Sequence, residues 1–261
     1  MKIPILNLFT TWKDLLRQLV GREIKARYKQ SILGYAWVLL VPLVKLVVMS
    51  IVFSLFFRIK TDPIPYPLFL FAALVPWTFT ANAISVATGS LVDNGSLITK
   101  IKLPREIFPV SAILVKGLDF VISLGVLLCI MLAYRFPMHV TFLLVPAIAL
   151  VQFLLIAGIS FFLSALNVYY RDIENMMEVF MMVWMYLTPV IYPPEYIPAQ
   201  YQQLFNLNPM MGIVNAYRNV MLFGELPPVS SFGYAVVLSL LLFFGGYAFF
   251  KAKSKYFADV L

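Results

Sequence analysis

The chain has 261 residues, of which 62 % are hydrophobic and only 12 % are charged. Its net charge is +8 at pH 7. This composition argues against an ordinary soluble enzyme and against a disordered polypeptide, because both carry far more polar residues. It also leaves little polar sequence for a separate soluble domain. We therefore expect one membrane domain, with its excess positive charge near the lipid headgroups.

The first predicted element is an amphipathic helix over residues 8–28. Apolar residues such as Trp12 and Leu19 recur at helical spacing, whereas basic residues such as Arg22 occupy the opposite side. Such a helix is typical of a membrane interface. We assign residues 1–32 to a cytoplasmic interface helix and a substrate-access loop. Two roles stay open, orienting the first span and docking a partner.

Six apolar segments can cross the hydrocarbon core of a bilayer, which takes about 20 residues of helix. The fifth is the weakest, because Glu178 lies inside it and has to stay near the headgroups. We predict an all-α integral membrane protein with one six-span domain over residues 33–261. The spans are expected at residues 33–57, 67–91, 107–134, 141–168, 174–192 and 229–250.

Basic residues are concentrated at alternate breaks between these spans. Most Lys and Arg lie in residues 1–32, in the loop 92–106 and after the sixth span, and the other breaks hold few. Lys and Arg are enriched on the cytoplasmic side of membrane proteins. We therefore predict that both ends of the chain lie in the cytoplasm.

The cytoplasmic loop 92–106 interleaves apolar and basic residues. A loop that only joined two spans could be wholly polar. A short helix with exposed apolar side chains, ended by Pro104, is suited to docking a soluble protein. The alternative is an amphipathic loop that rests on lipid. The apolar residues in question are Leu97, Ile98, Ile101 and Leu103.

The connection 193–228 is long, external and interrupted by prolines. Its piece 210–223 is apolar enough to enter the bilayer but too short to cross it. Irregular backbone at that depth has to be buried in protein or line a cavity. We predict a pair of short re-entrant helices that form an external lid. A flat interfacial helix is the alternative.

Besides Glu178 near the start of the fifth span, three charged residues fall well inside predicted spans. Lys45 lies near the middle of the first span, and Lys116 and Asp119 lie one helical turn apart in the third. Asp119 could pair with Lys116 on its own helix or with Lys45 across helices. Two roles stay open for the set: ionic contacts between helices, and the polar lining of a conduit.

The sequence carries no pattern for catalysis or for a cofactor. It has no G-x-x-x-x-G-K-[ST] loop for ATP and no cluster with metal-ligand spacing. Cys129 and His139 are the single residues of their kinds. Asp172 and Glu174 are explained by the positive end of a helix dipole. We predict that this chain is not an enzyme and binds no metal or cofactor itself.

Four stretches resemble motifs of one family, the membrane (permease) subunit of bacterial ATP-binding-cassette exporters of O-antigen, teichoic acid and capsular polysaccharide. The resemblance covers the whole chain, although these motifs are shared across glycan classes. The stretches are R-Y-K-Q-S-I-L-G-Y-A-W at 27–37 followed by Pro42, L-I-T-K-I-K-L-P at 97–104, N-V-Y-Y-R-D at 167–172, and Pro189 with Tyr192, Pro193, Asn208 and Pro209.

The resemblance implies half of a transporter. Two copies would form a conduit in the bacterial inner membrane for lipid-linked polysaccharide. Two separate ATPase subunits would bind ATP and Mg²⁺ and dock on the cytoplasmic side. The coupling residues would be Leu97, Ile98, Lys100, Ile101, Leu103 and Pro104.

The resemblance also implies a place where the lipid diphosphate of the substrate is met. Arg27 and Lys29 supply cations for a diphosphate, and Gly34 permits close approach of the backbone. Leu33 and Trp37 complete this substrate-access site.

Aromatic residues in the first and fifth spans are candidates for the conduit lining, because the family places these two spans around the conduit. Phe53 with Phe57 and Phe180 with Trp184 have the i, i+4 spacing of side chains that meet on a helix. Sugar C–H faces could slide on such rings. Ordinary helix packing is the alternative for each ring.

Two other functions stay open. An exporter of a drug or a small lipid would have the same architecture. An ion-coupled secondary carrier is the other class, although such carriers commonly contain internal repeats and this sequence shows none.

Overall fold

The computed structural model describes residues 5–28, 34, 36–100 and 103–261. All regular structure in these residues is helical, which confirms the predicted all-α class for the described part of the chain. The α-helices are α1 (Ile5–Tyr28), α2 (Ala36–Ser50), α3 (Tyr66–Asp93), α4 (Gly95–Lys100), α5 (Ile107–Ala133), α6 (Val145–Asn167), α7 (Asp172–Tyr186), α8 (Gln202–Asn206), α9 (Pro209–Arg218), α10 (Val229–Ser254) and α11 (Phe257–Val260).

Helix α1 is the predicted amphipathic helix. Its apolar residues Leu15, Leu16 and Leu19 pack against the hydrophobic core, whereas Lys13 and Arg17 are exposed. The helix lies against α5. The apolar face of α1 thus packs on the protein, and a location of this helix at the membrane interface stays a prediction.

Five helices within the described residues are long and apolar enough to cross a membrane. They correspond to the first, second, third, fourth and sixth predicted spans. Two of them are extended by other helical turns, α2 by the π-helical Ile51–Phe56 and α6 by the 3₁₀ segment Val140–Leu144. The five crossings are α2, α3, α5, α6 and α10 with these extensions.

Helix α7, at the place of the fifth predicted span, is shorter. Its 15 residues give about 22 Å at 1.5 Å per residue, less than the roughly 30 Å of a hydrocarbon core. Turns follow it, and Val190 and Ile191 in these turns are buried in the protein. The six-span count thus stays a prediction.

Helix α3 is the centre of the bundle and packs against α5, α6, α7 and α9. A buried polar network joins it to two neighbours. Gln152 Nε2 donates to the Pro76 carbonyl oxygen at 2.7 Å and to Thr80 Oγ1 at 2.8 Å. Tyr217 donates its hydroxyl proton to Gln152 Oε1 at 2.9 Å. These bonds satisfy buried polar groups in the turn of α3 that contains Pro76 and Thr80.

Helices α6 and α10 approach closely because each places a glycine at the crossing. A Cβ atom built on Gly246 would collide with the carbonyl oxygen of Gly158, and one on Gly158 would collide with the backbone at Leu242. Small residues at a helix crossing allow such backbone contact in membrane proteins.

The connection between α7 and α10 folds into short helical pieces that end at Gly224, whose φ of +69° is left-handed. Its central piece, α9 with the following π-helical Asn219–Phe223, is largely buried against α3 and α10. Met210, Val214 and Val220 are fully inaccessible. Most of the apolar stretch 210–223 is therefore covered by the rest of the chain, although Phe223 at its end is exposed.

Candidate functional site

The predicted coupling loop forms α4, which starts directly after α3. Asn94 holds the junction: its backbone carbonyl accepts from the N–H groups of Leu97 at 2.9 Å and Ile98 at 3.1 Å. Its side-chain amide donates to the Ser90 carbonyl oxygen at 2.8 Å, and Arg22 of α1 donates to its Oδ1 at 2.6 Å. One asparagine thus connects α1, α3 and α4.

The apolar residues of this loop face inward, which differs from the expectation that they project toward a partner. Ile98 is only 5 % exposed, and Leu97 and Leu103 are half-buried against the core. The reason is the helical period, which turns Ile98 toward the bundle and the polar residues outward. Ile101 lies outside the described residues. The exposed residues of α4 are Ser96, Thr99 and Lys100.

Helix α11, near the end of the chain, packs against α4. Its Phe257 is completely buried, with ring centroids 5.4 Å from Phe250 and 6.4 Å from Tyr169. Leu261 lies against Gly95, where an added Cβ would be 3.7 Å from the leucine Cβ. This contact had no prediction from the sequence. The only signal for it in the sequence is that the apolar residues Phe257 and Leu261 follow the lysines at the end of α10.

Glu174, one of the two acids at the start of α7, has structural partners. Asp172 and Glu174 lie in its first turn, as predicted. The Glu174 N–H donates to Asn167 Oδ1 at 3.1 Å, and Asn167 Nδ2 donates to Glu174 Oε2 at 3.4 Å. The Glu174 carboxylate lies over Gly89 of α3, so that an added Cβ there would be 2.7 Å from Oε1. The start of α7 is thereby fixed to α3, close to α4.

The predicted intramembrane charges meet in one cavity of about 370 Å³ between α2, α3 and α5. Lys116 Nζ lies 3.8 Å from Asp119 Oδ2, so these two residues form an ion pair within their helix. Lys45 lines the same cavity from α2, as does Trp37 near its start. A charged side chain at a bilayer centre costs about 2.5–3.5 kcal/mol on insertion scales. A shared polar cavity lowers that cost.

Both predicted aromatic pairs are formed. The ring centroids of Phe53 and Phe57 are 5.2 Å apart and stacked, and those of Phe180 and Trp184 are 5.7 Å apart. Phe57 and Phe180 are 67 % and 50 % exposed, respectively. Trp184 is held in place, since its Nε1 donates to Asn208 Oδ1 at 2.9 Å. Whether these rings line a conduit stays a prediction.

Phe180 and Trp184 also border an apolar groove of about 1060 Å³ between α6, α7 and α10. Gly158 and Gly246 lie in its wall, and α8 and α9 border one of its ends. No residue pattern in the sequence predicts this groove, because it results from how the three helices splay apart.

Arg218 is a buried cation at the end of α9 that joins this helix to the end of α7. Its Nη1 donates to the Pro189 carbonyl oxygen at 2.6 Å and its Nη2 to that of Val190 at 2.7 Å. Its Nε donates to the carbonyl oxygen of Phe69 at 3.3 Å, and the guanidinium stacks on the Phe69 ring at 3.6 Å from the centroid. Burial lowers the pKa of Arg218 to about 9, so it remains protonated at neutral pH.

The substrate-access residues are described only in part. Gly34 has a φ of +50°, a left-handed conformation that favours glycine, and its carbonyl oxygen accepts from the Trp37 N–H at 3.5 Å. Trp37 is 48 % exposed. Lys29, Leu33 and the side chain of Arg27 lie outside the described residues. A role in meeting a diphosphate stays a prediction for all five.

Comparison with protein families matches residues 14–222 to the family described as ABC-2 type transporter. The O-antigen export system permease protein RfbA of Myxococcus xanthus is 29 % identical over 253 residues, which cover 95 % of each chain. A protein of the same name from Klebsiella pneumoniae is 29 % identical over 252 residues, again 95 % of each.

A more distant relative is the polysialic acid transport protein KpsM of Escherichia coli. It is 21 % identical over 252 residues, which cover 95 % of this chain and 96 % of that protein. All three similarities therefore extend over nearly the full length of both chains.

Proposed function

This chain belongs to the ABC-2 type transporter family, and we propose that it is the membrane subunit of an ATP-driven exporter of lipid-linked polysaccharide, such as O-antigen. The observation that carries the proposal is the similarity to O-antigen export permeases over 95 % of both chains. The bundle of long apolar helices supports the same function. The expected location is the bacterial inner membrane.

We propose that ATP and Mg²⁺ bind to a separate ATPase subunit, since the chain has no phosphate-binding loop. The docking surface would be the exposed residues Ser96, Thr99 and Lys100 of α4. Ile98 would act from inside, because its burial fixes α4 to the bundle. Movement of α4 would reach α7 through α3, because α4 follows α3 directly and Gly89 of α3 contacts Glu174 of α7.

Six crossings with both ends in the cytoplasm are supported by the distribution of Lys and Arg. In this arrangement α7 and the buried turn at Val190 and Ile191 together make the fifth crossing. The external lid, residues 193–228, would then lie outside the cell. Its re-entrant character is supported by the burial of α9, since a flat interfacial helix would expose one face to lipid.

We propose that two copies form the conduit. The support is the contrast between two spans: only 6 % of the residues in the apolar window of α2 are buried within the chain, against 72 % for α3. A second copy could cover part of α2. The exposed rings of Phe57 and Phe180 would then be available to a passing polymer.

The proposal is tested by measuring the export of polysaccharide in a cell that lacks this chain. Loss of surface polysaccharide and accumulation of lipid-linked glycan inside, both reversed by the wild-type chain, are expected. An ATPase subunit with an inactive nucleotide site must reproduce the defect. Normal surface glycan with increased sensitivity to a drug would favour the drug or small-lipid exporter. Transport that continues without any ATPase would favour the carrier.

A further inference from the structure

The polar cavity between α2, α3 and α5 has the chemistry of an anion site. Each helix contributes residues from one face, because the lining positions recur three or four residues apart. The cavity combines cations, a carboxylate, an amide, hydroxyls and an indole ring. The polar and aromatic residues that matter here are Trp37, Lys45, Asn82, Lys116, Asp119 and Ser123.

The charges in the cavity do not balance. Lys116 and Asp119 form one ion pair at 3.8 Å. Lys45 brings a second positive charge, and it has no hydrogen bond or ion pair among the residues that the structure describes. One formal positive charge is left over. A negatively charged group in the cavity would neutralise it.

The hydrogen-bonding groups point to the same kind of ligand. A lysine ammonium offers three donors and no acceptor, and the Asn82 amide adds two donors. The Ser123 hydroxyl already donates to the Asp119 carbonyl oxygen at 2.8 Å, and that of Thr78 to Val75 at 3.0 Å. The Lys45 ammonium therefore offers donors that suit a ligand that accepts hydrogen bonds.

The cavity lies deep along its helices. Lys45 and Lys116 come nine residues after Ala36 and Ile107, the first residues of α2 and α5, which is about 14 Å at 1.5 Å per residue. A volume of about 370 Å³ admits a small anionic group together with water, each water occupying about 30 Å³. Trp37 lies nearest the start of α2 and could stack on an apolar or sugar face.

We propose that this cavity binds one oxyanion, a phosphate or a carboxylate, carried by a lipid or by an acidic sugar. Lys45 is the principal ligand and supplies the net positive charge, Asn82 assists, and the Lys116–Asp119 pair is neutral. The identity of the carrier as a lipid or a glycan rests on the proposed function. The binding of an oxyanion does not.

The experiment uses the chain with its ATPase in nanodiscs of phosphatidylcholine and measures binding by isothermal titration calorimetry. The probes are hexyl phosphate, sodium glucuronate and the neutral methyl glucoside. Saturable binding of one or both anions without binding of the glucoside is expected. Hexyl phosphate alone would indicate a lipid phosphate as the natural group, and glucuronate alone an acidic sugar.

Two substitutions should change the Kd of the anion in opposite directions, whereas in a purely structural ion cluster they would not. Lys45→Met should raise the Kd for the bound anion about ten-fold, since it removes a charge-assisted hydrogen bond, whereas Lys45→Arg should retain binding. Asp119→Asn should lower the Kd, because it removes the competing carboxylate. Lys60→Met, outside the cavity, is the matched control and should change nothing.

Three results would overturn the proposal. They are no saturable binding of either anion, equal binding of the glucoside, and unchanged Kd values in both Lys45→Met and Asp119→Asn. Binding is measured without transport. A failed titration would therefore leave the export proposal standing, and failed export would leave the binding result standing.

Discussion

Arg218 donates a hydrogen bond of 2.6 Å to the carbonyl oxygen of Pro189 and thereby connects α9 to the turn that ends α7. The same guanidinium also satisfies the carbonyl of Val190. A turn that ends a helix leaves carbonyl groups without intrahelical partners. Arg218 supplies donors from α9, so that the end of α7 and the connection 193–228 are held together.

The first prediction concerns this connection. Arg218→Met should lower the stability of the complex by roughly 1–3 kcal/mol, because it leaves buried carbonyl groups without a donor. Protease sensitivity should rise in residues 193–208. Arg218→Lys should be intermediate, since an ammonium cannot reproduce the planar fork of the guanidinium. The measurements are the apparent Tm in detergent and limited proteolysis from outside.

The exposed Arg171 provides the control, and Arg171→Met should leave both measurements unchanged. An Arg218→Met chain with wild-type Tm and an unchanged proteolysis pattern would show that these bonds do not hold the lid.

A second prediction tests the close contact of α6 and α10. Gly246→Ala should destabilise by about 1–3 kcal/mol, because the new methyl group meets the backbone of Gly158 and cannot be accommodated by a side-chain rotation. Gly245→Ala is the matched control, since a Cβ at Gly245 would have no atom within 4 Å. Thermal unfolding of the two variants in the same detergent compares them. Equal Tm values would contradict the backbone contact.

The third prediction separates docking from folding at α4. Thr99 is exposed, so Thr99→Trp should keep the Tm of the chain but abolish co-purification of the ATPase subunit by blocking its approach. Ile98→Asp should lower the Tm as well, because it places a carboxylate at a buried position. Gln202→Trp on the lid is the control for a bulky exposed side chain. Retention of the ATPase by Thr99→Trp would show that α4 is not the docking surface.

The apolar spans could be predicted closely from the sequence, whereas the contacts between them could not. Helix α3 covers 66–93 against a predicted 67–91, because the uncharged run ends at Val92 and the helix is capped by Pro65 and Asn94. Hydropathy is a local property, and lipid imposes it on every crossing. The prediction was least accurate at α7, where the helix ends at Tyr186 and turns follow, although the apolar run continues.

The candidate sites show the same difference: unusual residues could be identified from the sequence, but their contacts with other helices could not. The sequence identified Lys45, Lys116 and Asp119 as unusual, because charge inside a span is rare. It did not indicate that Asn82 would join them, since the alignment of three helices decides which residues share a cavity. Ile98 was expected to face a partner, but its side chain packs inside the chain.

The last prediction tests the six-span topology together with the external lid. Single cysteines at Glu195, Gln202 and Glu225 are introduced in a Cys129→Ser background, and intact cells receive a membrane-impermeant thiol reagent. All three should react, because each position lies in the connection between α7 and α10 and is at least partly exposed in the chain. A cysteine at Lys253 should react only after the membrane is opened.

Because α9 is too short to cross the bilayer and is covered by α3 and α10, Gln202 and Glu225 must share one side. Labelling of Glu225 from the cytoplasm alone would mean that residues 209–223 cross the membrane, and the topology and the lid would then be wrong together.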